Sequence, residues 1–160
     1  MMKGSLALGE DALTHDRAGL ADTIAAIIAR RGGAVSVDLR EVETLRELRT
    51  FVTYPLALYR GNPYYVPTLI QDDMHTLRRD RNPAFDFCEA RYWLAYSGKQ
   101  VVGRLAAIYN PHHLAHWHQA YLRFGWTDFT DDPDVTAALF GVAEAWAREK
   151  GLSAVHGPLG

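Results

Sequence analysis

The 160-residue chain has a single cysteine, Cys88, so no internal disulfide can form, and cytoplasm is the expected compartment. No run approaches the eighteen or so apolar residues that a membrane-spanning helix needs, so no membrane partner is expected. An excess of positive charge is missing too. With 17 Lys and Arg against 19 Asp and Glu, the net charge of -2 excludes a nucleic-acid binder held by phosphate neutralisation. The basic cluster Arg78, Arg79 and Arg81 encloses Asp80 and follows Asp72 and Asp73, which makes it a solvated helix end. Repeats, linkers and low-complexity segments are lacking, so one core is expected, removing roughly 70% of the unfolded surface from water.

What the chain does have is ordered hydrophobic periodicity. Residues 1–33 read as an extension before a domain at 34–160. In AGLADTIAAIIARR, residues 18–31, Leu20, Ile24, Ile27 and Ile28 share one face of a short amphipathic helix that Gly32 and Gly33 would end. AVSVDLREV alternates as a strand. Thr44 and Glu47 then form a capping box, opening a helix with Leu45, Leu48, Val52 and Leu56 as its apolar face. Pro55 should kink or divide that helix, Gly61 should end it, and a second helix should start near Pro67.

ARYWLAY and QVVGRLAAIYN are apolar on both faces and joined at Gly98, the pattern of a hairpin inside a covered sheet. Asn110-Pro111 starts a short helix or turn carrying His112, His113, His116 and His118. AYLRFGWTDFT returns as a strand. Asp131-Asp132-Pro133-Asp134 opens a helix with Val135, Leu139, Val142 and Trp146 on one face, closed by Gly151, and LSAVHG gives a fifth strand. The crossover at residues 121–156 predicts a parallel pair, hence a mixed sheet of α/β (α+β) class.

The histidines do not make a metal site by spacing. His112 and His116 can share a helix face, but His118 lies about 120° around an ideal helix from His112, and the segment has no Cys, Asp or Glu to complete a zinc set. No metal is expected. Cys88, beside Glu89, Phe85 and Phe87, reads as a structural cysteine, and Tyr64, Tyr65, Tyr92, Trp93 and Trp126 as core aromatics.

The run RYWLAYSGKQVVGRLAAIYN, then YLRFGWTDFTDDPDVTAALFGVAEAWAREKGLSAVHGPLG, resembles the GNAT superfamily of acyl-CoA N-acyltransferases over about residues 34–160. Segments such as GNPYYVPTL, NPAFDFCEA, RFGW and HGPLG are similar to those of uncharacterised bacterial members. The resemblance implies a GNAT-like mixed sheet flanked by helices, with acetyl-CoA or another acyl-CoA in a gap where strand 121–130 splays from strand 152–156. It places the pyrophosphate at the backbone of Phe129, Thr130 and Val135, around the helix start, and suggests Asp128 as general base, sharing a face with Phe124 and Trp126. The acceptor would be a small molecule.

TDDPDV departs from the family's glycine- and base-containing phosphate loop. Asp132 is an N-cap, Pro133 lacks an N–H, and Asp134 sits at the positive end of the helix dipole. Each carboxylate within ~6 Å of a phosphate charge adds roughly 1 kcal/mol of repulsion. The fold also resembles one incomplete at its C-terminus, so a missing C-terminal half or self-association is expected. Two functions follow: the front lobe of an acyl-CoA-dependent N-acyltransferase, or a catalytically inactive GNAT-like scaffold or small-ligand-binding module.

Overall fold

Residues 36–118 and 120–159 are described by a computed structural model; the helix expected at 18–31, with the rest of the extension 1–33, lies outside them. In order, they form β1 (Val37–Glu41), α1 (Leu45–Leu58), α2 (Ile70–Thr76), a 3-10 turn (Pro83–Asp86), β2 (Glu89–Ser97) and β3 (Gln100–Tyr109). Then come α3 (Pro111–Trp117), β4 (Tyr121–Phe129), α4 (Pro133–Glu149) and β5 (Ala154–His156). The sheet order is β1-β2-β3-β4-β5. Neighbours are antiparallel through β4, and β4 pairs with β5 in parallel, as the crossover requires.

Helix α1 starts at the expected capping box: the Glu47 N–H donates to Thr44 Oγ1 at 3.2 Å, and the Thr44 N–H to Glu47 Oε2 at 2.9 Å. Of the kink or break expected at Pro55 the break is absent, and the expected apolar face is corrected. Pro55 does not divide the helix, which runs unbroken from Leu45 to Leu58. A proline at position 55 cannot donate to the Phe51 carbonyl, and Arg104 Nη1 on β3 donates there instead, at 2.9 Å. The buried face is also rotated. Leu48 and Val52 are buried with Phe51 and Pro55, whereas Leu45 and Leu56 are 57% and 37% exposed. Helix α2 begins at Ile70 rather than near Pro67, with the Thr68 hydroxyl donating to Asp73 Oδ2 at 2.6 Å across its start.

The sheet is covered on both faces. On one, α4 packs Val135, Leu139, Val142 and Trp146 against Trp93, Leu105 and Leu122. Gly103 makes the close approach: a Cβ there would lie 2.8 Å from Leu139 Cδ1 and 3.0 Å from Val135 Cγ1. On the other face, Phe51 and Val52 of α1 and Leu77 pack on Tyr92, Leu94 and Ala106.

Strand β4 carries the feature that organises the site. Gly125 pairs with Ala106 and Asp128 with Arg104, so β4 advances one residue more than β3 between these pairs. The bulge lies at Trp126, whose φ is +43°, and it reverses the side-chain alternation. Phe124 packs towards α4, 5.2 Å from the Phe140 ring centre. Trp126 packs with the cluster beneath α1, and Asp128 bonds to Tyr59. The single face expected for Phe124, Trp126 and Asp128 is therefore split.

Candidate functional site

Where β4 leaves its bulge, three elements converge on Asp128. Arg104 of β3 donates from Nε to Asp128 Oδ2 at 2.8 Å, with Nη2 2.7 Å from the same oxygen. Tyr59, just past α1, donates its hydroxyl to Oδ1 at 2.9 Å. Burial and this bond to Asp128 raise the Tyr59 pKa, so the hydroxyl keeps its proton. With both oxygens engaged, Asp128 clamps the end of β4 to α1, and its carboxylate is balanced by the buried guanidinium. Trp126 is held similarly, its Nε1–H donating to Asp73 Oδ1 of α2 at 3.1 Å.

The outer edge of β4 is covered for only part of its length. Regular pairing with β5 spans Tyr121–Ala154, Leu122–Val155 and Arg123–His156, after which the Leu159 N–H donates to the Phe124 carbonyl at 2.8 Å. Gly125 and Gly157 permit this approach: a Cβ on Gly125 would overlap the Leu159 carbonyl, and one on Gly157 the Phe124 carbonyl. The RFGW and HGPLG segments thus meet backbone to backbone. Beyond Gly125, the described residues place no strand beside Trp126–Phe129.

The residues at the start of α4 do not fit a pyrophosphate. Asp132 Oδ1 accepts the Asp134 N–H at 2.9 Å, Pro133 has none to offer, and the Thr130 N–H goes to the Val102 carbonyl at 2.9 Å. Phe129 pairs with Gly103, and the Val135 side chain is buried against α4's own core. No Lys, Arg or His lies between Phe129 and Val135. One of the free N–H groups of the helix start is taken by a carboxylate and another is removed by Pro133, while Asp132 and Asp134 make the field there unfavourable to an anion.

The histidines lie at the opposite end of β4 and have separate surroundings. Asn110 Oδ1 accepts the His113 N–H at 3.1 Å, the expected cap. His112 stacks on Phe87 with ring centres 5.1 Å apart, and His113 lies 5.7 Å from Tyr121. Among the described residues no group of three His, Cys, Asp or Glu could hold a metal. Dialysis against zinc is expected to leave no stoichiometric metal, as read by elemental analysis; zinc retained by the protein and lost in a His112→Ala, His116→Ala variant would contradict this. Burial raises the Cys88 thiol pKa, which keeps it protonated and poorly nucleophilic. Tyr92 and Trp93 are core residues, whereas Tyr64 is 90% exposed.

Sequence reasoning passed over Arg104, Tyr59 and Tyr54. The signal for Arg104 was present, an arginine inside the apolar run VVGRLAAIY, which demands a buried partner. Tyr59 and Tyr54 gave none, because their surroundings exist only once α1 lies on the sheet.

No family profile matches the chain. It is 36% identical over 112 residues to Protein YghO of Escherichia coli (strain K12), covering 70% of this chain and 28% of that protein. It is 32% identical over 120 residues to the bacterial ceramide synthase of Caulobacter vibrioides, covering 73% and 31%. The chain thus spans less than a third of the length of these two relatives. Among solved structures, an aminoglycoside acetyltransferase from an uncultured soil metagenomic sample, in complex with sisomicin, superposes with a TM-score of 0.52 at 9% identity over 78% of each chain. The fold is that of the GNAT acetyltransferases. Among the described residues, no helix is long and apolar enough to cross a membrane.

Proposed function

We propose that this chain is a lobe of a longer N-acyltransferase, delivering an acyl group from a thioester to an amine beside the outer edge of β4. The observation that carries this reading is the bulged strand itself: within an acetyltransferase fold, Trp126–Phe129 pair with β3 on one side but have no strand on their outer edge among the described residues, and a narrow amide-bearing arm could add there as a strand would. Arg104, Asp128 and Tyr59 hold that edge in place. The ceramide synthase relative supports an acceptor that is a long-chain amino alcohol, since a ceramide is the amide of one. Tyr64, Val66 and Leu69, 90%, 84% and 72% exposed on the α1–α2 side, suit an alkyl chain.

The protein incubated with an acyl thioester and a long-chain amino alcohol should yield the amide, detected by mass. Absence of amide with donors of short and long acyl chains would favour the second reading, an inactive scaffold, for which the carboxylates at the start of α4 speak. Acetyl-CoA itself should bind the chain no tighter than millimolar, because the phosphates gain nothing at α4. Calorimetry at low salt checks this. A Kd near ~10 μM would need about 6.8 kcal/mol, more than the pantetheine arm is expected to supply unaided. Tighter binding by an Asp132→Gly, Asp134→Gly variant would identify those carboxylates as the limit.

A further inference from the structure

The first half of β4 carries an arginine whose charge no described carboxylate balances. Arg123 pairs across the sheet with Ile108, which packs on the α1 side, whereas the adjacent Phe124 packs towards α4. The Arg123 side chain therefore lies on the α1 face, half-buried, three residues before the bulge at Trp126. His156, its register partner on β5, shares that face across the seam of the parallel pair. The exposed His156 ring stands 5.0 Å from the ring of Tyr121, one strand repeat further along the same face.

Neither side chain is engaged by a polar partner. Among the described residues no ion pair and no side-chain hydrogen bond includes Arg123 or His156. Arg123 Nε is buried and makes no hydrogen bond, while the residue as a whole is half-buried, so the guanidinium is closed at its inner edge and open at its outer one. The carboxylates at the second half of β4 are committed elsewhere. Asp73 accepts from the Trp126 indole at 3.1 Å and from the Thr68 hydroxyl at 2.6 Å, and Asp128 accepts from Arg104 and Tyr59. A guanidinium that has given up part of its hydration without gaining a counter-charge carries a cost, which an oxyanion at its outer edge offsets.

We propose that Arg123 and His156 bind an oxyanion, carboxylate or phosphate, carried by the acyl acceptor. This rests on the reading of the outer edge of β4 as the place of acyl transfer. Beyond Gly125 that edge is open to the donor arm, but beside Arg123 it is occupied by β5, so a group bound there arrives over the α1 face and belongs to the acceptor. Three residues of strand, up to about 10 Å, separate Arg123 from Trp126 and set the distance between the anion and the reacting amine. A planar guanidinium takes two oxygens of a carboxylate or phosphate, and an imidazole N–H takes another.

The test uses three small amines, O-phosphoethanolamine, β-alanine and ethanolamine, and follows the Arg123 Nε–Hε resonance, assigned by its loss in Arg123→Gln. The two anionic amines should shift it and ethanolamine should not; the tighter of the two identifies the oxyanion as phosphate or carboxylate. By calorimetry, Arg123→Gln should weaken that binding about tenfold and His156→Gln about threefold. Lys99→Gln removes an exposed charge from the β2–β3 turn and should leave binding unchanged. His156 is exposed, so its variant stays informative even where Arg123→Gln unfolds. No acyl transfer is measured, which keeps failure here separate from failure to form the amide. The proposal is overturned if neither anionic amine moves the Arg123 resonance, if both variants bind as tightly as the native protein, if Lys99→Gln weakens binding equally, or if 4′-phosphopantetheine binds more tightly than O-phosphoethanolamine, which would give the site to the donor.

Discussion

Replacing Arg104 with Met should destabilise the protein by about 3–5 kcal/mol, because it removes one partner of a buried ion pair and leaves the other behind. Asp128 would lose both bonds from the guanidinium, at 2.8 and 2.7 Å, while its side chain remains only 17% exposed. The Phe51 carbonyl would lose its donor as well, and Pro55 cannot replace it. Against a total stability of roughly 5–15 kcal/mol, this is a large fraction. Urea unfolding measures it as a lower midpoint at unchanged slope. Removing both charges, with Arg104→Met and Asp128→Leu together, should recover part of the loss, since the costly state is the unpaired carboxylate. A single variant within about 0.5 kcal/mol of the native protein would mean that the pair does not clamp β4 to α1.

The second large effect is expected at Gly125. An alanine there puts a methyl group into the Leu159 carbonyl, so the backbone of β4 or of the segment after β5 must move. Overpacking of this kind costs about 1–3 kcal/mol, with backbone less able to yield than a flexible side chain. The change should also break the bond from the Leu159 N–H to the Phe124 carbonyl, read as faster hydrogen exchange at Leu159. Gly98→Ala is the informative control. That glycine has φ +59° with open space around it, so its substitution costs only backbone strain, about 1 kcal/mol, and should leave Leu159 protected. Equal Leu159 exchange in the two variants would show that RFGW and HGPLG do not meet as described.

Much of the architecture was legible in the residues because it depends on short-range rules. The Thr44–Glu47 capping box, the Asn110 cap, the Gly98 turn and the Val135–Trp146 stripe each arise within a few residues, and each is found where expected. The parallel β4–β5 pair followed from the strand-helix-strand crossover at residues 121–156. The apolar face of α1 was misplaced by about one flank, since aliphatic spacing ignored Phe51 and Pro55, and the sheet it packs against selects the stripe.

The sequence by itself also determined the character of the α4 start. An aspartate cap and a proline act on the nearest backbone N–H groups whatever the rest of the chain does. The role of Asp128 was decided only in three dimensions. One additional residue in β4 at Trp126 turns Asp128 away from Phe124, and Arg104, 24 residues earlier in sequence, and Tyr59, 69 residues earlier, take both of its oxygens. Side-chain alternation is a local property, but a bulge is set by the register of two strands, and a buried charge by whichever distant group packs against it. Neither exists until the sheet and α1 have assembled.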